Sequence, residues 1–366
     1  MLNKILGILL LFLSSAILSG CSLNDEEIQQ IEFEVELNLI TTIDEFPELN
    51  PPWIVNPATV IAYKNGFVFT DSQHKRIHLL QKDGSLKTAF GREGRGPGEL
   101  LGVNFAYVMD QKILIPDINN ARTSTFDHSG NFLRHVMHES QHPIVTGRVH
   151  SWKENRNLTA SYAMNFGNCI FFELDENAQI TKDCFGDYEA LEYSDIELLK
   201  HIGRNGGVGD IHFINSDSFI FAPAFYYGVN YVYVWNDDTW VQESTIEGFS
   251  YNEVAAIKTN EYKQEPGYFS IQYSGSDAMI ARILSRSYGY YPIGDYLLHI
   301  TQQIVENDNI TIIELFTQDG VYLGHKIQDF PISPQGKYGM SVFENYYAIA
   351  TSLDLDIYEI NINFDK

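Results

Sequence analysis

Short runs of apolar residues recur along the chain, broken by polar turns that carry Gly, Asn or Asp. Two segments align without a gap at an offset of 46 residues, Phe69–Leu80 on Ile115–Phe126. Asp71 falls on Asp117, Arg76 on Arg122, and the turn glycine Gly84 on Gly130. Each unit reads strand, polar loop, strand, tight turn, strand, and glycine suits such a turn because it adopts positive φ without a Cβ clash. Looser copies follow at Ile170–Leu174, Tyr231–Trp235 and Ile310–Phe316, each running into an Asn/Asp-rich turn. The last unit, Tyr346–Ile362, lacks a final strand. Ile31–Leu37 supplies one, because it alternates apolar and acidic residues as a half-buried strand does. Units of 40–50 residues with about four short strands each predict an all-β fold, a β-propeller closed by its own N-terminal strand. The count predicts six blades, with seven the alternative if residues 249–295 hide another. That stretch reads as an insertion over one face. Tyr251–Lys258 and Ser276–Arg286 have helix-like composition, and Ser287–Pro292 is loop-like. A smaller insertion is expected near 188–209.

The N-terminus departs from this pattern. Lys4 precedes the apolar run Ile5–Leu13, then small residues and Leu18-Ser19-Gly20-Cys21. The positive head, apolar stretch and small-residue cleavage site make a secretory signal over residues 1–20. The run is short of the ~20 apolar residues that a membrane-spanning helix needs. Cys21 after Leu-Ser-Gly resembles the bacterial lipobox, which implies cleavage before Cys21 and lipid attachment to it. Ser22 follows, not the Asp associated with inner-membrane retention, so the expected location is the outer membrane, facing the periplasm or the surface. Residues 21–30 hold the acidic cluster Asp25-Glu26-Glu27. They read as a flexible tether, or as a surface-export signal of the kind some lipoproteins carry. Residues 31–366 then form a single propeller domain.

The segment Phe90-Gly91-Arg92-Glu93-Gly94-Arg95-Gly96-Pro97-Gly98-Glu99-Leu100 closes the first unit. It resembles the corresponding segment of a bacterial lipoprotein family of 6-bladed β-propellers, related in shape to NHL-repeat propellers. The likeness in blade pattern spans most of residues 30–366. The third unit's counterpart, Gly203–Asp210, lacks the Pro and the Glu. The resemblance implies a propeller and an exported lipoprotein. It implies no established activity, so no catalytic residue is carried over.

Cys169 and Cys184 remain after cleavage, and an even count in an exported chain predicts a disulfide. If Leu174 faces Gln179 across the turn Asp175–Ala178, the two thiols lie directly opposite on a two-stranded ladder, within bridging reach. Two packed free thiols are the alternative.

Composition removes several classes of partner. The chain has 24 Lys+Arg against 48 Asp+Glu, a net charge of −24. Nucleic-acid binding rests on cations that neutralise phosphates, so it is not expected. Electrostatic adhesion to an anionic membrane is not expected either, which leaves the lipid anchor as the membrane contact. The 22 Tyr and 23 Phe suit pleated, half-buried surfaces. His-Glu-x-x-His, Cys-x-x-Cys and Gly-x-Ser-x-Gly are absent from the sequence, and no catalytic residue is assigned. Asn307–Asn309 and Asp354–Asp356 are oxygen-rich but lack full Ca²⁺-ligand spacing, so no cofactor is expected, with a Ca²⁺ ion at these loops the alternative.

In a propeller, loops joining second to third strands share a face with loops joining blades, and ligands favour such concave mouths. That geometry nominates Asp71, His74, Arg76, Arg92, Arg95, Asp117, Arg122, Tyr162, Phe225, Tyr226, Tyr227 and Tyr290 as ligand-binding candidates. Each has a structural reading beside it. The aspartates cap turns, Arg76 and Arg122 pair with carboxylates of the next blade, the Gly91–Glu99 loop turns a corner, and the aromatics pack blades. The glycine loop's functional reading is an anion nest of backbone N–H groups flanked by arginines. The function expected is a monomeric, non-enzymatic module binding a small molecule, glycan or envelope protein. The alternative is a propeller hydrolase or lyase acting on an extracellular glycan or ester. For the anchor, metabolic labelling with radioactive palmitate in the native envelope should tag the wild-type protein and leave Cys21→Ser unlabelled.

Overall fold

The computed structural model describes residues 30–54, 57–109, 112–138, 147–153, 156–161, 169–181, 184–187, 209–265, 268–273 and 279–364. The chain divides into two compact units, Met1–Ile31 and Glu32–Lys366. The expected signal, Cys21, Tyr162 and nearly all of the insertion near 188–209 lie outside the described residues.

The second unit opens with β1 (Phe33–Ile43). Blade I is β2 (Pro57–Tyr63), β3 (Gly66–Asp71), β4 (Arg76–Gln81) and β5 (Leu86–Phe90). Blade II is β6 (Tyr107–Met109), β7 (Lys112–Asp117), β8 (Arg122–Phe126) and β9 (Phe132–Met137). Blade III is β10 (Val149–Lys153), β11 (Arg156–Ala160), β12 (Cys169–Leu174) and β13 (Phe185–Asp187). Blade IV is β14 (Gly209–Asn215), β15 (Ser218–Pro223), β16 (Val229–Asn236) and β17 (Thr239–Glu247). Another sheet follows, β18 (Ala256–Thr259), β19 (Gln264–Glu265), β20 (Tyr268–Tyr273) and β21 (Met279–Ile283). Blade V is β22 (Ser285–Ile293), β23 (Tyr296–Val305), β24 (Asp308–Thr317) and β25 (Tyr322–Ile327). Blade VI is β26 (Met340–Phe343), β27 (Tyr346–Ala350) and β28 (Leu355–Phe364), completed by β1.

Among the described residues seven four-stranded sheets are therefore present, yet six build the ring. The first strands contact in a closed cycle, β2 to β6, β10, β14, β22, β26 and back to β2, with β14 directly against β22. The apolar core says the same. Among the described residues it falls into six clusters, one per junction between neighbouring blades. The sheet β18–β21 adds Ala255, Ala256, Ala281 and Ile283 to the cluster between blades III and IV. It is an insertion into the blade IV–V connection, and the six-bladed expectation holds.

The nature of that insertion needs correction. The helix-like stretches contain the strands β18 and β21, paired edge to edge. Ser287–Pro292, expected as loop, belongs to β22, the first strand of blade V. Small and polar residues there had masked a strand, because sheet pairing and burial override local composition.

Ring closure follows the N-terminal alternation. Phe33, Val35 and Leu37 pair with Phe364, Ile362 and Ile360 of β28, while Glu34 and Glu36 face solvent. The turns before the last strands of blades II and III share one device. Asp127 and Asp175 accept backbone N–H groups two and four residues on, with Gly130 and Ala178 at positive φ. Cys169 and Cys184 form the disulfide, Cα–Cα 5.5 Å, but the ladder register differs from expectation. Cys169 pairs with Asp187 and Phe171 with Phe185, so Cys184 lies before β13 rather than opposite its partner. Leu174 faces Ile180 across the Asp175 turn, one residue from the expected register, and the pairing has slipped by two more at Phe185.

Phe33 is 2% exposed and anchors the closing strand in the core between blades V and VI, whereas Leu39 on the same strand is 56% exposed. Phe33→Ala should lower unfolding free energy by about 3–5 kcal/mol in urea titration, and Leu39→Asn by no more than about 0.5 kcal/mol.

Candidate functional site

Each blade's first strand lies nearest the axis, so residues on or just before those strands converge at the centre. A cavity of about 220 Å³ sits there, walled by β2, β6, β10, β22 and β26. Its polar lining includes Arg148, His150, Tyr291 and Tyr338. Arg148, just before β10, donates to Asp210 Oδ2 at 2.8 Å, to the Tyr291 hydroxyl at 2.9 Å, and to the carbonyls of Met340, Lys337 and Tyr290. Its guanidinium also lies 4.8 Å from the Tyr291 ring centroid.

Asp210, on β14, is 2% exposed. It accepts the Tyr290 backbone N–H at 3.0 Å. His150 Nε2 stands 3.5 Å from Oδ1, close enough to pair by charge but without hydrogen-bond geometry. Burial alone would push the Asp210 carboxyl up; Arg148, His150 and Lys337 overcome it and hold it well below the usual carboxylate range. Gly289 makes the approach possible, because a Cβ at its positive φ of 98° would collide with Asp210 Oδ2.

Lys337 lies in the 3-10 turn Gly336–Gly339 that leads into β26. Its Nζ bonds the Gly209 carbonyl. Burial lowers it to about 8, against the opposing pull of Asp210. His212 is pushed down to about 4, by burial first and then by His150. Tyr338 packs edge-on against Phe105 at 5.4 Å. Tyr338 also walls a second cavity of about 140 Å³, together with Lys337, Phe225, Arg286, Ser287 and Tyr288. The two cavities thus meet at one short turn.

The residues nominated from sequence are not gathered here. Asp71 accepts the N–H groups of Gln73 and His74 and bonds His74 Nδ1 at 2.8 Å. Asp117 accepts the N–H groups of Leu101, Gly102 and Asn120. Arg76 and Arg122, expected to pair with carboxylates, instead bond backbone carbonyls. Arg76 holds Asn50 and Pro51, and Arg122 holds Arg95, Gly96 and Glu99. The carboxylates lost the competition because the fixed guanidinium fork fits the carbonyls of a sharply folded loop. In that loop Glu99 accepts the Gly96 N–H at 2.7 Å and pairs with exposed Arg92 at 2.9 Å, and Arg95 is exposed. Phe225 lines the second cavity, Tyr227 bonds Tyr231, and Tyr226 bonds Glu314. Tyr290 lines the axial cavity, and its hydroxyl donates to Asn230 Oδ1 at 2.6 Å.

Sequence reasoning missed Arg148, His150, Asp210 and Lys337. They lie in irregular segments or at strand starts, where nothing local marks a charge as buried. His299 and Glu314 were more legible, since each interrupts an otherwise apolar run, Leu297-Leu298-His299-Ile300 and Ile312-Ile313-Glu314-Leu315. Among the described residues no group of three or more His, Cys, Asp or Glu is placed to hold a metal ion. No helix among them is long and apolar enough to cross a membrane.

The architecture and its axial cavity define a β-propeller. Two solved structures bear this out across nearly the whole chain. A member of the DUF4221 family from Bacteroides vulgatus overlays with a TM-score of 0.53 at 10% identity, covering 91% of this chain and 99% of the other. A candidate exported protein from Bacteroides fragilis overlays at 0.51 and 13% identity, covering 94% and 98%. A streptogramin B lyase structure overlays at 0.45 and 10% identity, covering 90% and 98%. Identities this low establish the fold alone. No protein-family model matches the sequence, and comparison with curated proteins finds no match.

Removing Arg148 would leave Asp210 buried without its main counter-ion. Arg148→Met should lose about 3–5 kcal/mol, and Arg148→Met with Asp210→Asn should lose less than Arg148→Met alone. Lys337 gives a pH signature. Its folded value of about 8 lies below the ordinary 10.5, so between these the unfolded chain binds more protons and stability rises with pH. Urea titrations from pH 8 to 9.5 should show the wild type gaining on Lys337→Met.

Proposed function

We propose that this propeller is a lipid-anchored module of the outer membrane that binds a small anionic molecule in its axial cavity. The observation that carries the reading is the charge there. In a chain of net charge −24, the described residues that line the cavity include Arg148 and His150 and no carboxylate, with Asp210 paired to Arg148 behind them. Low-dielectric walls strengthen the attraction of such a centre for an anion. Phe105, Tyr107, Tyr291 and Tyr338 supply apolar and aromatic walls, suited to a sugar acid or an aromatic acid. The volume lies below the ~300–1,000 Å³ typical of sites for drug-sized ligands, so the ligand is small. The location rests on the secretory signal and on the likeness of Leu18–Cys21 to a lipobox.

The test is to purify the lipidated protein from its own envelope, denature it and identify released small molecules by mass spectrometry. A stoichiometric monocarboxylate or phosphate is expected. Adding it back should raise the melting temperature by several degrees, less so at high salt. Ala62→Trp, which fills the cavity from its wall, should remove both the bound molecule and the shift. Co-purification of a stoichiometric protein in place of any anion would replace this reading with an envelope assembly.

A further inference from the structure

Three polar side chains on adjacent strands of blade V form a relay that the axial cavity does not use. The Ser287 hydroxyl on β22 lies 2.8 Å from His299 Nε2 on β23. His299 Nδ1 lies 2.6 Å from Glu314 Oε2 on β24. His299 and Glu314 are fully buried, at 0% exposure. Ser287 is only partly buried, and it opens into the 140 Å³ cavity beside Arg286, Tyr288, Lys337 and Phe225. The geometry points to a catalytic site for acyl transfer, with Ser287 the nucleophile, His299 the general base and Glu314 its orienting carboxylate, acting on a small ester that carries an anionic group.

The network assigns the protons. Glu314 also accepts the Tyr226 hydroxyl at 3.1 Å and the Phe249 N–H. Gly248 lets that backbone come close, since a Cβ there would strike both Tyr226 and Glu314. A carboxylate with these donors takes Nδ1–H from His299, which leaves the Nε2 lone pair facing the serine hydroxyl. The β22 register slips between Ser287 and Gly289, a bulge that re-aims the serine. The Gly289 N–H donates to Ser287 Oγ at 3.1 Å.

A cross-strand staple would need the same hydrogen bonds. It would need neither a cavity in front of the serine nor cations beside it. Arg286 is held over the Phe269 ring at 4.2 Å and bonded to Gln302, so its charge stands fixed at the cavity wall. In the reaction, Ser287 Oγ adds to the ester carbonyl carbon as its proton passes to His299 Nε2. The bond to the leaving oxygen breaks, and that oxygen takes the proton as an alcohol leaves. Water then adds to the acyl-serine with His299 as base, and collapse releases the acid and restores the hydroxyl. Ester and water become acid and alcohol. Arg286 and Lys337 hold the substrate's anionic group and favour the developing oxyanion.

The full-length protein in detergent, treated with a fluorophosphonate probe, should gain one adduct on the peptide containing Ser287. It should hydrolyse 4-nitrophenyl hemisuccinate at least tenfold faster than 4-nitrophenyl acetate, and Arg286→Gln should erase that preference. Ser287→Ala should abolish both labelling and hydrolysis. Ser287→Thr keeps the bond to His299, so it should preserve the melting temperature while slowing hydrolysis on the order of 100-fold. Folded wild-type protein that takes no probe at Ser287, or a Ser287→Ala variant that hydrolyses at the wild-type rate, overturns the site. Equal rates on the two esters overturn the substrate class.

Discussion

Arg148 reaches from the approach to blade III across the axis and satisfies one carboxylate, one phenol and three carbonyls contributed by blades IV, V and VI. Without it the buried carboxylate would lose its closest counter-ion, and the Tyr291 hydroxyl would keep only its bond to the Tyr288 carbonyl. Burying two charges is expensive, and such a pair persists only where further hydrogen bonds satisfy both partners. Here they do, through the Tyr290 N–H on Asp210, with His150 standing 3.5 Å from it, and through the Tyr291 hydroxyl and the Met340 carbonyl on Arg148. The interaction joins four of the six inner strands or their leading turns. Apolar faces and side-chain bonds such as Tyr290–Asn230 join neighbouring blades, and this pair ties the ring together at its centre.

The same constraint gives the molecule its two cavities. The 3-10 turn Gly336–Gly339 is drawn inward by Arg148 and by the Lys337–Gly209 bond, and its far side walls the space in front of Ser287. Blade V therefore faces two compartments. Its Tyr290 and Tyr291 border the axial one, and Arg286, Ser287 and Tyr288 border the other. The sheet β18–β21 runs straight into β22, with Leu284 between them bonded to the Ala255 carbonyl. An insertion that stiffens the start of β22 also stiffens the strand that carries Ser287.

Much of the fold was legible because it is written locally. Period-two alternation in Phe33–Leu37 marks a strand with one buried face, and the structure buries that face. Asp127, before the turn glycine Gly130, binds the turn's own amides, so spacing alone announces it. The disulfide partners were legible for the same reason, though not the pairing around them, since the register slips before β13 while the thiols stay in reach. Tyr251–Lys258 and Ser276–Arg286, read as helix-like, and Ser287–Pro292, read as loop, were misread because local composition does not show which neighbours a strand pairs with.

The sequence by itself determined a repeating all-β ring, its closure by the N-terminal strand and a cysteine pair, since each depends on residues close in the chain or on a period along it. Only the tertiary structure decided which charges matter. Arg148, Asp210 and Lys337 come together from three separate blades, and Ser287, His299 and Glu314 from three successive strands. Whether a charge is solvated or buried, and what it faces, depends on where distant strands converge.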